Sequence, residues 1–112
     1  MAMPKPALPL LQGSLDLLVL GALASGAAHG YGVATLVRAR SAGALDIEDA
    51  ALYQALHRLE RKGLVAAEWG LSDNNRRARF YALTAKGRTR LAEERQSWRR
   101  LSRAVELILA ME

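Results

Sequence analysis

The chain has 112 residues, 51% of them hydrophobic but only 5% aromatic, and it contains no cysteine. That length fits one domain with a modest aliphatic core and leaves no room for a catalytic domain with its own deep cleft, while the missing cysteine excludes disulfides, thiolate metal sites and a cysteine nucleophile. Sixteen Lys and Arg against eleven Asp and Glu give a net charge of +5, a balance that favours polyanionic partners, nucleic acid first among them.

Residues 1–10 carry Pro4, Pro6 and Pro9 without a periodic pattern. They read as a flexible N-terminal tail, with Leu8 and Leu10 available for docking. Ser14 is placed to cap a helix over Leu15–Ala24, with Asp16 in the favourable first turn. Leu17, Leu18, Leu20 and Leu23 are expected to face inward, and Gly26 to end the helix. The run Leu17–Ala24 also imitates the apolar stretch of a secretion signal. Asp16 interrupts it, and it is too short to span a bilayer, so the expectation is a cytoplasmic protein without a membrane partner.

Gly30-Tyr31-Gly32 opens a second helix carrying Val33, Leu36 and Val37, with Arg38 and Arg40 suited to its C-terminal end. Ser41-Ala42-Gly43 breaks it. Leu45-Asp46-Ile47 is an extended link, and Glu48-Asp49 supply an acidic first turn to a third helix over Ala50–Lys62. There Leu52, Leu56 and Leu59 fall at i, i+4 and i+7, which makes one apolar stripe. Gln54, His57, Arg58, Arg61 and Lys62 occupy the opposite face. Gly63 stops the helix.

Leu64–Trp69 and Arg79–Leu83 read as two antiparallel strands. The nine residues Gly70–Ala78 join them, with turn chemistry at Asp73-Asn74-Asn75. Thr84 caps a last helix over Ala85–Met111, about 40 Å long at 1.5 Å per residue. Leu91, Trp98 and Val105 are seven apart and Leu101 and Ile108 interleave with them, an a/d heptad interrupted at Glu94. Such a seam wants a partner helix. Helix one of the same chain is one candidate for it, but the length of the last helix favours a second copy, and a homodimer is expected. The face with Arg95, Arg99, Arg100 and Arg103 is solvated.

A helix that stops at glycine and is followed by a basic hairpin is the outline of a winged helix. The fold class is therefore mainly α with a small β-hairpin: a winged helix-turn-helix over residues 11–84 plus a long C-terminal dimerisation helix over 85–112. In such a fold the third helix enters the DNA major groove and the hairpin touches the backbone beside it. Asn74, Asn75, Arg76, Arg77 and Arg79 in or near the hairpin suit phosphate or minor-groove contact, Arg79 alternatively lying along the strand. His29 and His57 have no third ligand at metal spacing, so neither a metal nor a cofactor is expected. No nucleophile constellation is present either, which argues against an enzyme. His29 is read as shaping the entry to the second helix, and Trp69 as hairpin packing. The second functional reading is a ligand-sensing or protein-docking winged-helix module without DNA binding; Arg58, Arg61 and Lys62 argue against it.

Leu11-Gln12-Gly13-Ser14-Leu15-Asp16, His29-Gly30-Tyr31-Gly32, Leu52–Leu64 and Arg79–Gly87, taken in order, resemble the PadR family of bacterial transcriptional regulators, specifically its short branch with a single terminal helix. The resemblance runs from about residue 10 to the C-terminus. It implies repression of a nearby gene by a homodimer bound to a double-stranded DNA operator, and release by a small-molecule effector. It also implies a Tyr53 hydroxyl donating to a phosphate. Trp98 has two readings: core of the interface formed with Leu91, Leu101, Val105 and Ile108, or, as the resemblance implies, the wall of a flat apolar pocket there on which a planar aromatic effector stacks. Two positions depart from the family pattern. Ala51 stands where a serine is common, which removes a hydroxyl from the start of the recognition helix. Gln54 stands where a proline is common, and its amide could read an adenine edge.

Overall fold

A computed structural model of the chain describes residues 14–111. The proline-bearing tail of residues 1–10 and the segment before Ser14 lie outside them. The elements run α1 (Ser14–Ala22), a 3-10 turn (Leu23–Ser25), β1 (Ala28–His29), α2 (Gly30–Arg40), α3 (Asp49–Arg61), β2 (Val65–Leu71), β3 (Arg77–Leu83) and α4 (Ala85–Leu109). This is the expected winged helix-turn-helix with a long C-terminal helix. Among the described residues no helix is long and apolar enough to cross a membrane.

α1 ends two residues earlier than expected and tightens into the 3-10 turn. Its buried face is also rotated: Val19, Leu20 and Ala22 are buried, with Leu23 beyond them, while Leu17 and Leu18 are only half-buried. The segment Leu17–Leu23 is apolar all round, so periodicity cannot choose its inner face. Val33, Ala34 and Val37 of α2 and Leu52, Ala55, Leu56 and Leu59 of α3 complete the core with Ile47, Leu64, Val65, Tyr81, Leu83 and Leu91. It is aliphatic apart from one tyrosine, as the composition requires. α3 carries the stripe expected for it and stops at Gly63, whose φ of 74° lies in the left-handed region.

The sheet has the order β1-β3-β2, all antiparallel. β1, two residues long, was not legible as a strand; it pairs Ala28 with Tyr81 and His29 with Phe80. The hairpin is longer and its loop shorter than the sequence suggests. Trp69 pairs with Arg79, Gly70 with Ala78 and Leu71 with Arg77, leaving Ser72–Arg76 as the turn. The Ser72 amide donates to the Arg76 carbonyl at 2.8 Å, and Asn75 takes φ 57°, a conformation asparagine tolerates. Gly70 and Ala78 have weak strand propensity, and the register of their neighbours carries them into the ladder.

α4 begins at Thr84, whose Oγ1 accepts from the Gly87 amide at 3.0 Å and donates to the Gly63 carbonyl at 2.7 Å. Gly87 is pressed onto the backbone that follows α3, and a Cβ there would stand 1.9 Å from the Leu64 carbonyl oxygen. Leu91 is buried in the core of its own chain, so the part of the heptad free to meet a partner starts at Trp98. Beyond that point Trp98, Leu101, Val105, Ile108 and Leu109 are exposed. The radius of gyration, 15.7 Å, exceeds the roughly 13 Å of a compact 100-residue body, because α4 runs past the core.

Candidate nucleic-acid interface

The side chains of α3 divide along its axis. Leu52, Ala55, Leu56 and Leu59 point into the core, while Tyr53, Gln54, His57 and Arg61 are exposed. Tyr53 is held by a close approach: its ring lies over the start of α2, and a Cβ on Gly30 would come within 2.9 Å of it. The first turn of α2 is fixed by His29, whose Nδ1 accepts from the Gly32 amide at 3.0 Å. The His29 ring meets Phe80 of β3 edge-on at 5.3 Å. His29 is thus the N-cap of α2 and its anchor to the sheet.

On the hairpin, Asn74, Asn75 and Arg76 sit in the exposed turn, and Arg77 and Arg79 on β3. Arg77 stacks over Trp69 at 4.7 Å, a cation–π arrangement that fixes the guanidinium while leaving its charge outward. Arg79 is drawn back into the molecule. It donates to Glu60 of α3 at 2.8 Å and lies 5.9 Å from the Tyr81 ring centroid. Burial pushes the Tyr81 hydroxyl above the usual tyrosine range, and Arg79 opposes that shift.

The six cationic candidates therefore differ. Arg58 is engaged with Asp16 of α1, a hydrogen bond that raises the Arg58 pKa, and Arg79 is engaged with Glu60. Arg61, Arg76 and Arg77 have no ion-pair partner among the described residues. Nor has Lys62, which follows the last turn of α3 and whose carbonyl accepts from Lys86 Nζ.

Between α2, α3 and the hairpin runs an open cleft of about 1140 Å³, lined by Tyr31, Arg40, Tyr53, His57, Trp69, Asn74, Arg77 and Arg79 among others. Gln54, His57, Arg58 and Arg61 continue its floor along α3 with Tyr53. The cleft brings together residues of three elements that the sequence presented separately. Tyr31 and Arg40 were missed. Tyr31 is 77% exposed, and its signal was an aromatic set between two glycines at a helix start. No three His, Asp or Glu side chains gather into a metal site among the described residues.

Asn74 and Arg77 on one wall face Tyr53 and His57 on the other across a gap open to solvent. The element order defines the class of fold, a winged helix-turn-helix. The pattern of the transcriptional regulator PadR-like family matches residues 19–93, and the chain belongs to that family. It is similar to a PadR family transcription regulator of Clostridium difficile R20291, at 28% identity over 87% of this chain and 99% of that one, with a TM-score of 0.76. It is also similar to a PadR family regulator of Eggerthella lenta, at 30% identity over 90% and 86% of the two chains and a TM-score of 0.73. A curated relative, uncharacterized protein X of Lysinibacillus sphaericus, is 27% identical over 89% of this chain and 92% of its own length.

Proposed function

We propose that the chain acts as a homodimer that binds a double-stranded DNA operator and represses transcription, and that a planar aromatic effector releases it. One observation carries the DNA contact: Tyr53 and His57 of α3 and Asn74 and Arg77 of the hairpin border the same open cleft. In this reading α3 lies in the major groove, where Gln54, His57 and Arg61 reach base edges or phosphates. Tyr53 donates to a phosphate, and Lys62, Asn74, Asn75, Arg76 and Arg77 track the backbone. Two copies meet half-sites about one helical turn, roughly 34 Å, apart.

The second copy is supported by α4. Trp98, Leu101, Val105 and Ile108 fall on one side of a helix of 25 residues and are uncovered in the single chain. A second helix would cover them. In this reading the effector stacks on Trp98, the aromatic of that seam.

Selection of duplexes from a random-sequence pool gives the operator. On it, Arg76→Ala/Arg77→Ala is expected to weaken binding and to flatten the log–log salt dependence by up to about two units, one per lost phosphate contact. Unchanged affinity and slope in a fluorescence titration would remove the hairpin from the interface. If the wild-type chain selects no duplex, the second reading, a docking module without DNA binding, takes its place.

A further inference from the structure

α1 packs on both α3 and α4, and those two helices barely meet each other. α1 therefore bridges the seam-bearing helix and the recognition helix along their lengths, beside the links from Thr84 and Lys86 to Gly63 and Lys62 where α3 ends. At the α1–α3 contact stands one polar link. Arg58 Nη2 donates to Asp16 Oδ1 at 2.5 Å and Arg58 Nε to Asp16 Oδ2 at 3.4 Å, across 42 positions of sequence. Two parallel bonds between a planar guanidinium and a carboxylate fix orientation as well as distance. Both side chains are partly withdrawn from solvent, at 39% and 27% exposure.

We propose that Asp16 and Arg58 form a latch that sets the rotation of α3, and that Arg58 serves operator binding as a positioning residue instead of a phosphate contact. The helix geometry supports this. Arg58 and Glu60 project about 160° apart around α3, flanking the arc that holds Gln54, His57 and Arg61. Arg58 is tied to α1 on one flank, and Glu60 to Arg79 of β3 on the other at 2.8 Å. The two ion pairs grip the recognition helix from both sides, so the exposed arc between them has one setting. Charge points the same way. Paired with Asp16, Arg58 presents no net charge to a phosphate, and releases no counterion of its own on binding.

This inference rests on the DNA-binding reading, and the two are separable. On a duplex selected by the wild-type chain, Asp16→Asn and Arg58→Ala are each expected to weaken binding about fivefold, the scale of a partly exposed ion pair. The salt slope should stay unchanged, and Asp16→Asn/Arg58→Ala should bind no worse than either single variant. Arg58→Lys, which keeps the charge and loses the fork, should resemble Arg58→Ala. A direct phosphate contact has opposite signatures. Asp16→Asn would then tighten binding by removing an anion, Arg58→Ala would lower the slope by about one unit, and Arg58→Lys would rescue it; any of these overturns the latch. Urea unfolding of the same four variants without DNA gives the coupling between the two side chains, and its absence also overturns it. If no duplex is selected, the DNA reading and the positioning role fall together. Coupling that persists in unfolding would then assign the pair to fold stability alone.

Discussion

The body of residues 14–84 and the helix α4 are built on opposite plans. The body buries an aliphatic core and is nearly neutral, with eight Lys and Arg against seven Asp and Glu. α4 buries only Gly87 and Leu91, carries seven basic residues against three acidic, and leaves Trp98, Leu101, Val105 and Ile108 in solvent. Most of the net positive charge thus lies outside the part that presents α3 and the hairpin. A basic composition is therefore a poor locator of the proposed interface, whose cleft is bordered by Arg77, a cation without an ion-pair partner among the described residues. The apolar residues differ likewise. In the body the large aliphatic side chains are mostly buried, Leu71 excepted, whereas in the outer half of α4 they are exposed.

The largest expected effect tests the first half of that contrast. Leu56 is fully buried in the core, and Leu56→Ala should cost roughly 3–5 kcal/mol through lost burial and a residual cavity. Chemical denaturation should show that loss equally at high and low protein concentration. A loss that appeared only on dilution would mean that the body needs its partner, and the contrast would fail.

Trp98→Ala should behave in the opposite way. Removing the large aromatic of the seam is expected to weaken self-association by about 2 kcal/mol, some thirtyfold in Kd, with little change in unfolding of the dilute chain. Sedimentation equilibrium reads the first quantity and circular dichroism melts the second. A Trp98→Ala chain that still sediments as a stable dimer at low concentration would move the seam elsewhere.

What the sequence discloses follows the same division between local and long-range physics. The stripe Leu52, Leu56 and Leu59, the stop at Gly63, the turn at Asp73-Asn74-Asn75 and the cap at Thr84 are each encoded within a few residues, and each lies where it was expected. The inner face of α1 is not, because a helix apolar on every side leaves that choice to its neighbours. Nor is the length of the hairpin, since Gly70 and Ala78 enter the ladder only through the pairing around them. Among the candidate site residues, the exposure of Tyr53, Gln54, His57 and Arg61 follows from helical periodicity. The engagement of Arg58 by Asp16 and of Arg79 by Glu60 does not, because nothing in a cation's neighbours along the chain says which distant carboxylate will reach it. Leu91 shows the same limit: the heptad assigns it to the seam, and the tertiary fold buries it in its own chain.

The smallest expected effect lies at the junction of the two regions. Thr84 closes the body and opens α4 with one hydroxyl, accepting from the Gly87 amide and donating to the Gly63 carbonyl. Thr84→Ala leaves the Gly87 amide, one of the unpaired donors at the start of α4, without its cap, and should cost about 1 kcal/mol. Thr84→Ser keeps the oxygen and should recover most of that loss. Because the Lys86 ammonium also reaches the Lys62 carbonyl from the same turn, the destabilisation should appear at the first turn of α4 and the end of α3 together. Hydrogen exchange resolved along the chain separates the alternatives. Faster exchange at Gly87 and Arg88 and near Gly63 fits a shared joint, whereas faster exchange confined to the outer half of α4 would show that the cap does not couple the two regions.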